Sequence, residues 1–306
     1  MSEGGPRLRV GVSGWTRPDW DPLWPEAGDE RRLARLAETF GCVAVDTTRF
    51  AVPAARTVQR WTQSLAQAEG PLGAAEGGHL PRPCVLLLEV PTLLLEAEAP
   101  APLEVERFTA ALRPLARTRR LGALLARFDV TFLHGPSEVR RLGRIAAALE
   151  AFPLALEVRH PSWWEPRALD ALRGIGWSLA HVDATEDWRA RPKRHAPTGP
   201  LGVLRLAGRG GGPVDPAAAH LGLGADEADH RYPPAALVEL AQRARAIARE
   251  VETCLVLAAN VARGQALANA FELRWLLAET PAPAPAWAAV EAAFPDLEVL
   301  RRSPPV

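Results

Sequence analysis

The chain has 306 residues with 36 basic and 36 acidic side chains, so no net field recruits nucleic acid or an anionic membrane surface. Its composition, 48% hydrophobic and 24% charged, is that of an ordinary globular domain and excludes collagen-like, disulfide-framework and wholly disordered classes. Lys193 is the only lysine and sits in a Pro- and Arg-rich stretch far from any apolar run, which excludes Schiff-base aldolase and pyridoxal chemistry.

In chain order, short apolar runs at 8–12, 42–45, 84–88, 122–126, 154–158, 177–182, 201–206 and 254–258 read as strands. Amphipathic segments lie between them. Asp29 precedes one at 31–40, Pro136-Ser137-Glu138 opens one at 139–151, and Leu240, Ile247 and Val251 mark another before the last strand. Residues 266–277 follow as a helix. Continuous rather than alternating apolar runs belong to strands buried on both faces, and eight of them interleaved with helices predict a single α/β domain, a TIM-like (β/α)8 barrel. An open doubly wound sheet is the alternative. The barrel is expected over about 8–280, with a Pro/Ala linker and a short helix in 281–306 completing one domain of residues 1–306. The stretches 70–83 and 96–106 read as surface loops.

Cys42, Cys84 and Cys254 each sit in an apolar run with no zinc-ligand spacing, so buried, inert thiols are expected. Residues 1–6 hold no signal-peptide core and no apolar stretch approaches about 20 residues, so the expected location is cytoplasmic, with no membrane partner.

In such barrels the active site lies at the C-terminal ends of the strands. The residues that follow the runs are Ser13 and Trp15, Asp46 and Thr48, Glu89, Arg127, Glu157 with Arg159 and His160, Asp183 after His181, Arg205, and Asn260. Strand ends meeting solvent become polar in any case, but a ring of acids and arginines also suits chemistry. Glu157, Asp183 and His160 are the candidate catalytic groups. Trp15, Asp46, Arg127, Arg159, Trp163, Arg205, Arg209 and Asn260 are the candidate substrate-binding groups. Glu157 and Arg159 share a strand face, either as a structural ion pair or as an acid/base beside an anion clamp. No cofactor motif or dedicated metal site is present; at most a weak Mg²⁺ or Mn²⁺ is expected near Asp46, Glu157 and Asp183, with His181 packing in the barrel. Gly208 to Gly212 after the seventh strand is either a phosphate-binding loop or a plain flexible one. Trp15, Trp20, Trp24, Trp163, Trp164 and Trp188 fall in strand-to-helix loops, as core or as stacking walls for sugar rings and bases.

The same residues carry a family resemblance. Val10-Gly-Val-Ser-Gly-Trp15 with Pro18-Asp19-Trp20, Val45-Asp46-Thr47-Thr48, Leu121-Gly-Ala-Leu-Leu125, Glu157-Val-Arg-His-Pro-Ser-Trp163, Val203-Leu-Arg-Leu206 and Asn260 with Asn269-Ala270 resemble the YecE-like family, domain of unknown function 72. The resemblance implies a TIM-like barrel distantly similar to sugar isomerases, with no settled reaction. It also brings out departures: Ala44 stands where the family has Glu, Asp46 for Asn, Arg49-Phe50 for Phe-Tyr, Glu89 for Lys, Arg127 for Gln, Ala207 for His, and Ala259 for Asn. The new charges are expected to pair, Glu89 with Arg127 or Asp46 with Arg49. Three functions stay open. One is an enzyme acting on a small anionic or sugar-like molecule by acid/base chemistry. Another is a decayed barrel that binds a ligand or regulates. The third is a metal-dependent phosphodiesterase or nuclease, against which the neutral charge counts.

Overall fold

The computed structural model describes residues 7–23, 28–68, 83–184, 197–209, 229–277 and 284–297. Eight parallel strands close into a barrel in chain order: β1 (Arg7–Ser13), β2 (Cys42–Val45), β3 (Val85–Glu89), β4 (Leu121–Arg127), β5 (Leu154–Glu157), β6 (Ser178–Ala184), β7 (Leu201–Gly208) and β8 (Thr253–Ala258). The ladder from β8 back to β1 pairs Arg7 with Thr253 through Val12 with Ala258, so no strand edge is left open. Every predicted strand is present, each within two residues of its expected ends.

Helices cover the outside: α1 (Asp29–Thr39), α2 (Ala55–Gln67), α3 (Thr92–Glu96), α4 (Pro102–Arg117), α5 (Pro136–Ala148), α6 (Pro166–Gly174), α7 (Pro234–Ala248), α8 (Gln265–Leu276) and α9 (Ala284–Ala293). The stretch 96–106, expected as a loop, is shorter than that. Pro102 starts α4 in its first turn, where the missing N–H costs nothing and the fixed φ suits a helix. From there Phe108, Ala111, Leu112 and Leu115 form the buried stripe at helical spacing. Nearly all of α8 is buried, from Ala266 to Arg274, because it is packed against the barrel and touched by α7 and α9.

Side-chain alternation divides each strand between two layers. Cys42 and Ala44, Val85 and Leu87, Ala123 and Leu125, Ala155, Ala180, Leu201 and Val203, and Leu255 and Leu257 fill the barrel interior. Their neighbours, such as Val43, Leu86, Leu124, Leu156, Leu179, Leu204 and Val256, pack outward under the helices. Gly11 supplies the interior of β1 where a Cβ would lie 1.6 Å from the Cys42 carbonyl oxygen, so only a glycine lets β1 and β2 approach. At the N-terminal end Arg9 and Arg120 donate to the carbonyls of Gly41 and Cys84 respectively. Among the described residues no helix is long and apolar enough to cross a membrane.

Candidate functional site

The inward positions continue upward into a ring of charge at the C-terminal mouth. After β1 the chain turns at Gly14, in the left-handed region at φ 73°, with Gly14 N–H donating to the Ala44 carbonyl at 2.8 Å. The turn brings Ser13 and Arg17 to the mouth. After β2 a short 3-10 turn, Thr47–Arg49, is pinned by Thr48, whose hydroxyl donates to the carbonyl of Glu89 at 2.7 Å. That turn presents Arg49 and Phe50, and Thr92 Oγ1 donates to the Arg49 carbonyl at 3.0 Å from α3. Glu89 ends β3. Arg127 and Glu157 are register partners on β4 and β5, and Arg205 lies on β7.

These groups form one ion network. Arg127 Nη1 donates to Glu89 Oε1 at 2.8 Å while its Nε lies 3.4 Å from Glu157 Oε1. Arg205 Nε donates to Glu157 Oε2 at 2.8 Å, with Nη2 at 3.5 Å from Oε1. Glu157 is 1% exposed, held between two guanidiniums. Arg49 reaches Glu89 Oε2 at 3.7 Å, beyond hydrogen-bond distance, and that oxygen has no hydrogen-bond partner among the described residues. Arg17 pairs with Asp46 at 3.4 Å, and its buried Nε has no hydrogen-bond partner among them. So Glu89 does pair with Arg127, whereas the alternative pairing of Asp46 with Arg49 gives way to Arg17, which the sequence reading did not single out.

The electrostatics follow from burial and neighbours. Burial pushes the Glu89 carboxyl above its usual range, against the pull of Arg127, Arg205 and Arg49. Burial also lowers Arg49, assisted by the like charge of Arg127. For Arg127, burial alone would lower the guanidinium, but facing Glu157 and Glu89 more than reverses it. A cleft of about 370 Å³, open to solvent, lies above the network and is lined by Ser13, Arg17, Asp46, Arg49, Phe50, Glu89, Arg127, Arg205, Ala259 and Val261.

Other expected site residues stand elsewhere. Leu179 packs in the outer layer, so His181 and Asp183, two and four residues on, share that outer face rather than the barrel interior. Asp183 receives a bidentate pair from Arg209, at 2.7 and 2.8 Å, and this raises the Arg209 pKa. Tyr232 closes over them: its hydroxyl accepts from Gly208 N–H at 2.9 Å and donates to the Asp183 carbonyl at 3.2 Å, and Arg209 lies 5.5 Å from its ring. Asn260 is fully buried on the outer side of β8, where its amide donates to the His230 carbonyl and to Asn269 Oδ1, both at 2.8 Å. Asp46, Glu157 and Asp183 therefore do not come together, and among the described residues no three His, Cys, Asp or Glu side chains form a metal-holding group.

His160 lies outside the cleft lining and serves its own turn. Its Nδ1 accepts from Ser162 N–H at 3.2 Å and lies 2.9 Å from Ser162 Oγ, capping the 3-10 turn Pro161–Trp164. Arg159 is part-buried just before it and likewise lies outside the cleft lining. Trp163 is fully buried, stacked on Phe132 at 5.4 Å, and donates to its carbonyl at 2.7 Å. Trp15 packs edge-on to Trp61, and Trp20 donates to the Val261 carbonyl at 2.7 Å from a buried position. These rings are core and not stacking walls. Trp24, Trp188, the loops expected at 70–82 and 210–212, and the linker at 281–283 lie outside the described residues.

The family model of the protein of unknown function DUF72 matches residues 9–68 and 92–290. This chain belongs to the DUF72 family. A solved DUF72 family protein from Enterococcus faecalis is 19% identical, with a TM-score of 0.72 over 89% of this chain and 96% of that one. One from Thermotoga maritima is 24% identical, with a TM-score of 0.70 over 89% of this chain and 100% of that one. At those identities the likeness speaks to the barrel alone. Comparison with curated proteins gives no match.

Proposed function

We propose that this DUF72 barrel binds a small anion in the cleft at its C-terminal mouth and does not process it by acid/base chemistry. The observation that carries this reading is the clamp on Glu157 by Arg127 and Arg205. A general base needs a free lone pair within reach of the proton it takes, and here guanidiniums occupy the carboxylate from two sides. Asp183 is held at both oxygens by Arg209, and Asp46 meets Arg17 through one oxygen at 3.4 Å. What the cleft offers a ligand instead is incompletely bonded positive charge, on Arg49 and Arg17.

Titration calorimetry at low salt with inorganic phosphate and with acetate tests the reading. Saturable binding of either, lost in Arg49→Gln, supports it; no binding of either removes it. A proton-transfer reading keeps one foothold, Glu89, which lines the cleft, has one oxygen free of hydrogen bonds among the described residues, and holds its proton above the usual carboxylate range. Turnover in a panel of sugar phosphates that disappears in Glu89→Gln would replace binding with catalysis.

A further inference from the structure

Resting on the anion-binding reading, we infer that the ligand is a compact monocarboxylate with a flat apolar body, its carboxylate on Arg49 and Arg17 and its body against Phe50. Charge, shape and surface each point this way.

Charge comes first. The cleft lining holds the guanidiniums of Arg17, Arg49, Arg127 and Arg205 against Asp46 and Glu89, with Glu157 bonded beneath. That leaves one positive charge. A carboxylate neutralises it. A phosphate dianion overshoots and sets its second charge beside Asp46 and Glu89, where like charges repel in a partly desolvated space.

Shape agrees. The cleft, about 370 Å³ and open to solvent, has room for a small acid with a planar two-oxygen head. A guanidinium fork matches that planar head with two parallel N–H···O bonds.

The surface sets the rest of the molecule. Trp15, Trp20 and Trp163 are used up in packing, whereas Phe50 is 56% exposed and lines the cleft together with Val261 and Ala259. An aromatic side chain left in water at the rim of a charged cleft gives a flat ring an offset-stacking partner.

The experiment is calorimetry with benzoate, acetate and inorganic phosphate on the wild-type chain and on Phe50→Ala, which removes a ring that is 56% exposed, with circular dichroism spectra to show that the variant is folded. Benzoate is expected to bind about tenfold more tightly than acetate, with that preference collapsing in Phe50→Ala. Phosphate binding more tightly than benzoate, or a benzoate preference unchanged in Phe50→Ala, overturns this inference and leaves the anion-binding reading in place. If none of the three binds, both fall together.

Discussion

Arg205 on β7 reaches past β6 to hold Glu157 on β5, its Nε donating to Oε2 at 2.8 Å inside the barrel. The pair spans strands that are not neighbours in the sheet, and the residues of β6 that face inward there, Val182 and Ala184, carry no polar group that would intervene.

Removing the carboxylate should therefore be felt throughout the mouth. Glu157→Gln leaves two buried guanidiniums facing a neutral amide, and a broken buried ion pair costs about 3–5 kcal/mol. Urea unfolding should show that loss, and Glu157→Leu combined with Arg205→Met should recover most of it. A stable single variant would mean that water reaches the pair.

Anion binding should weaken as pH rises. Glu89 competes with the ligand for Arg49 and Arg127, and Arg205 and Glu157 also face it. Its proton is held above the usual carboxylate range, so lowering pH toward that raised value neutralises the competitor and frees positive charge. Affinities measured from pH 7 downward should rise in the wild type and stay flat, and tighter at pH 7, in Glu89→Gln.

A second pH effect lies in α8. Burial pushes Glu272 up to about 6 despite Arg231 at 3.1 Å and Asn269 at 2.6 Å. A carboxyl whose folded pKa is raised binds its proton more tightly when folded, so its contribution is complete below the unfolded value of 4.5 and is lost as pH rises through about 6. From that shift the contribution is about 2 kcal/mol. Unfolding free energy should fall across this window in the wild type and fall less in Glu272→Gln.

Gly11→Ala should prevent the barrel from closing. The added methyl would overlap the Cys42 backbone, which has no rotamer to yield. Insoluble or molten protein is the expected outcome; a folded variant would show that β1 and β2 can separate there.

The eight strands were legible because each is an apolar run bounded by helix signals, and the Glu89–Arg127 pair because opposite charges end adjacent strands. The face taken by Asp183 and Asn260 was not. In a strand buried on both sides the two faces are equally apolar, so nothing in the run fixes which is inside. Only the phase relative to a residue of known layer, Leu179 for β6, settles it. Arg17 was overlooked for a different reason: it follows Gly14 in a loop, where no periodicity predicts direction. Trp163 carried a family motif, yet its indole N–H is satisfied by the Phe132 carbonyl and the motif there maintains packing.

The β1–β8 ladder also shapes how the chain reaches its native state. Arg7–Val12 cannot find Thr253–Ala258 until all eight strands have been made. Until then β1 and the latest strand synthesised keep unsatisfied edges, and the intervening loop must be closed at full entropic cost. Folding intermediates of this protein should therefore be sticky, open sheets whose lifetime on the ribosome is set by the arrival of the last strand.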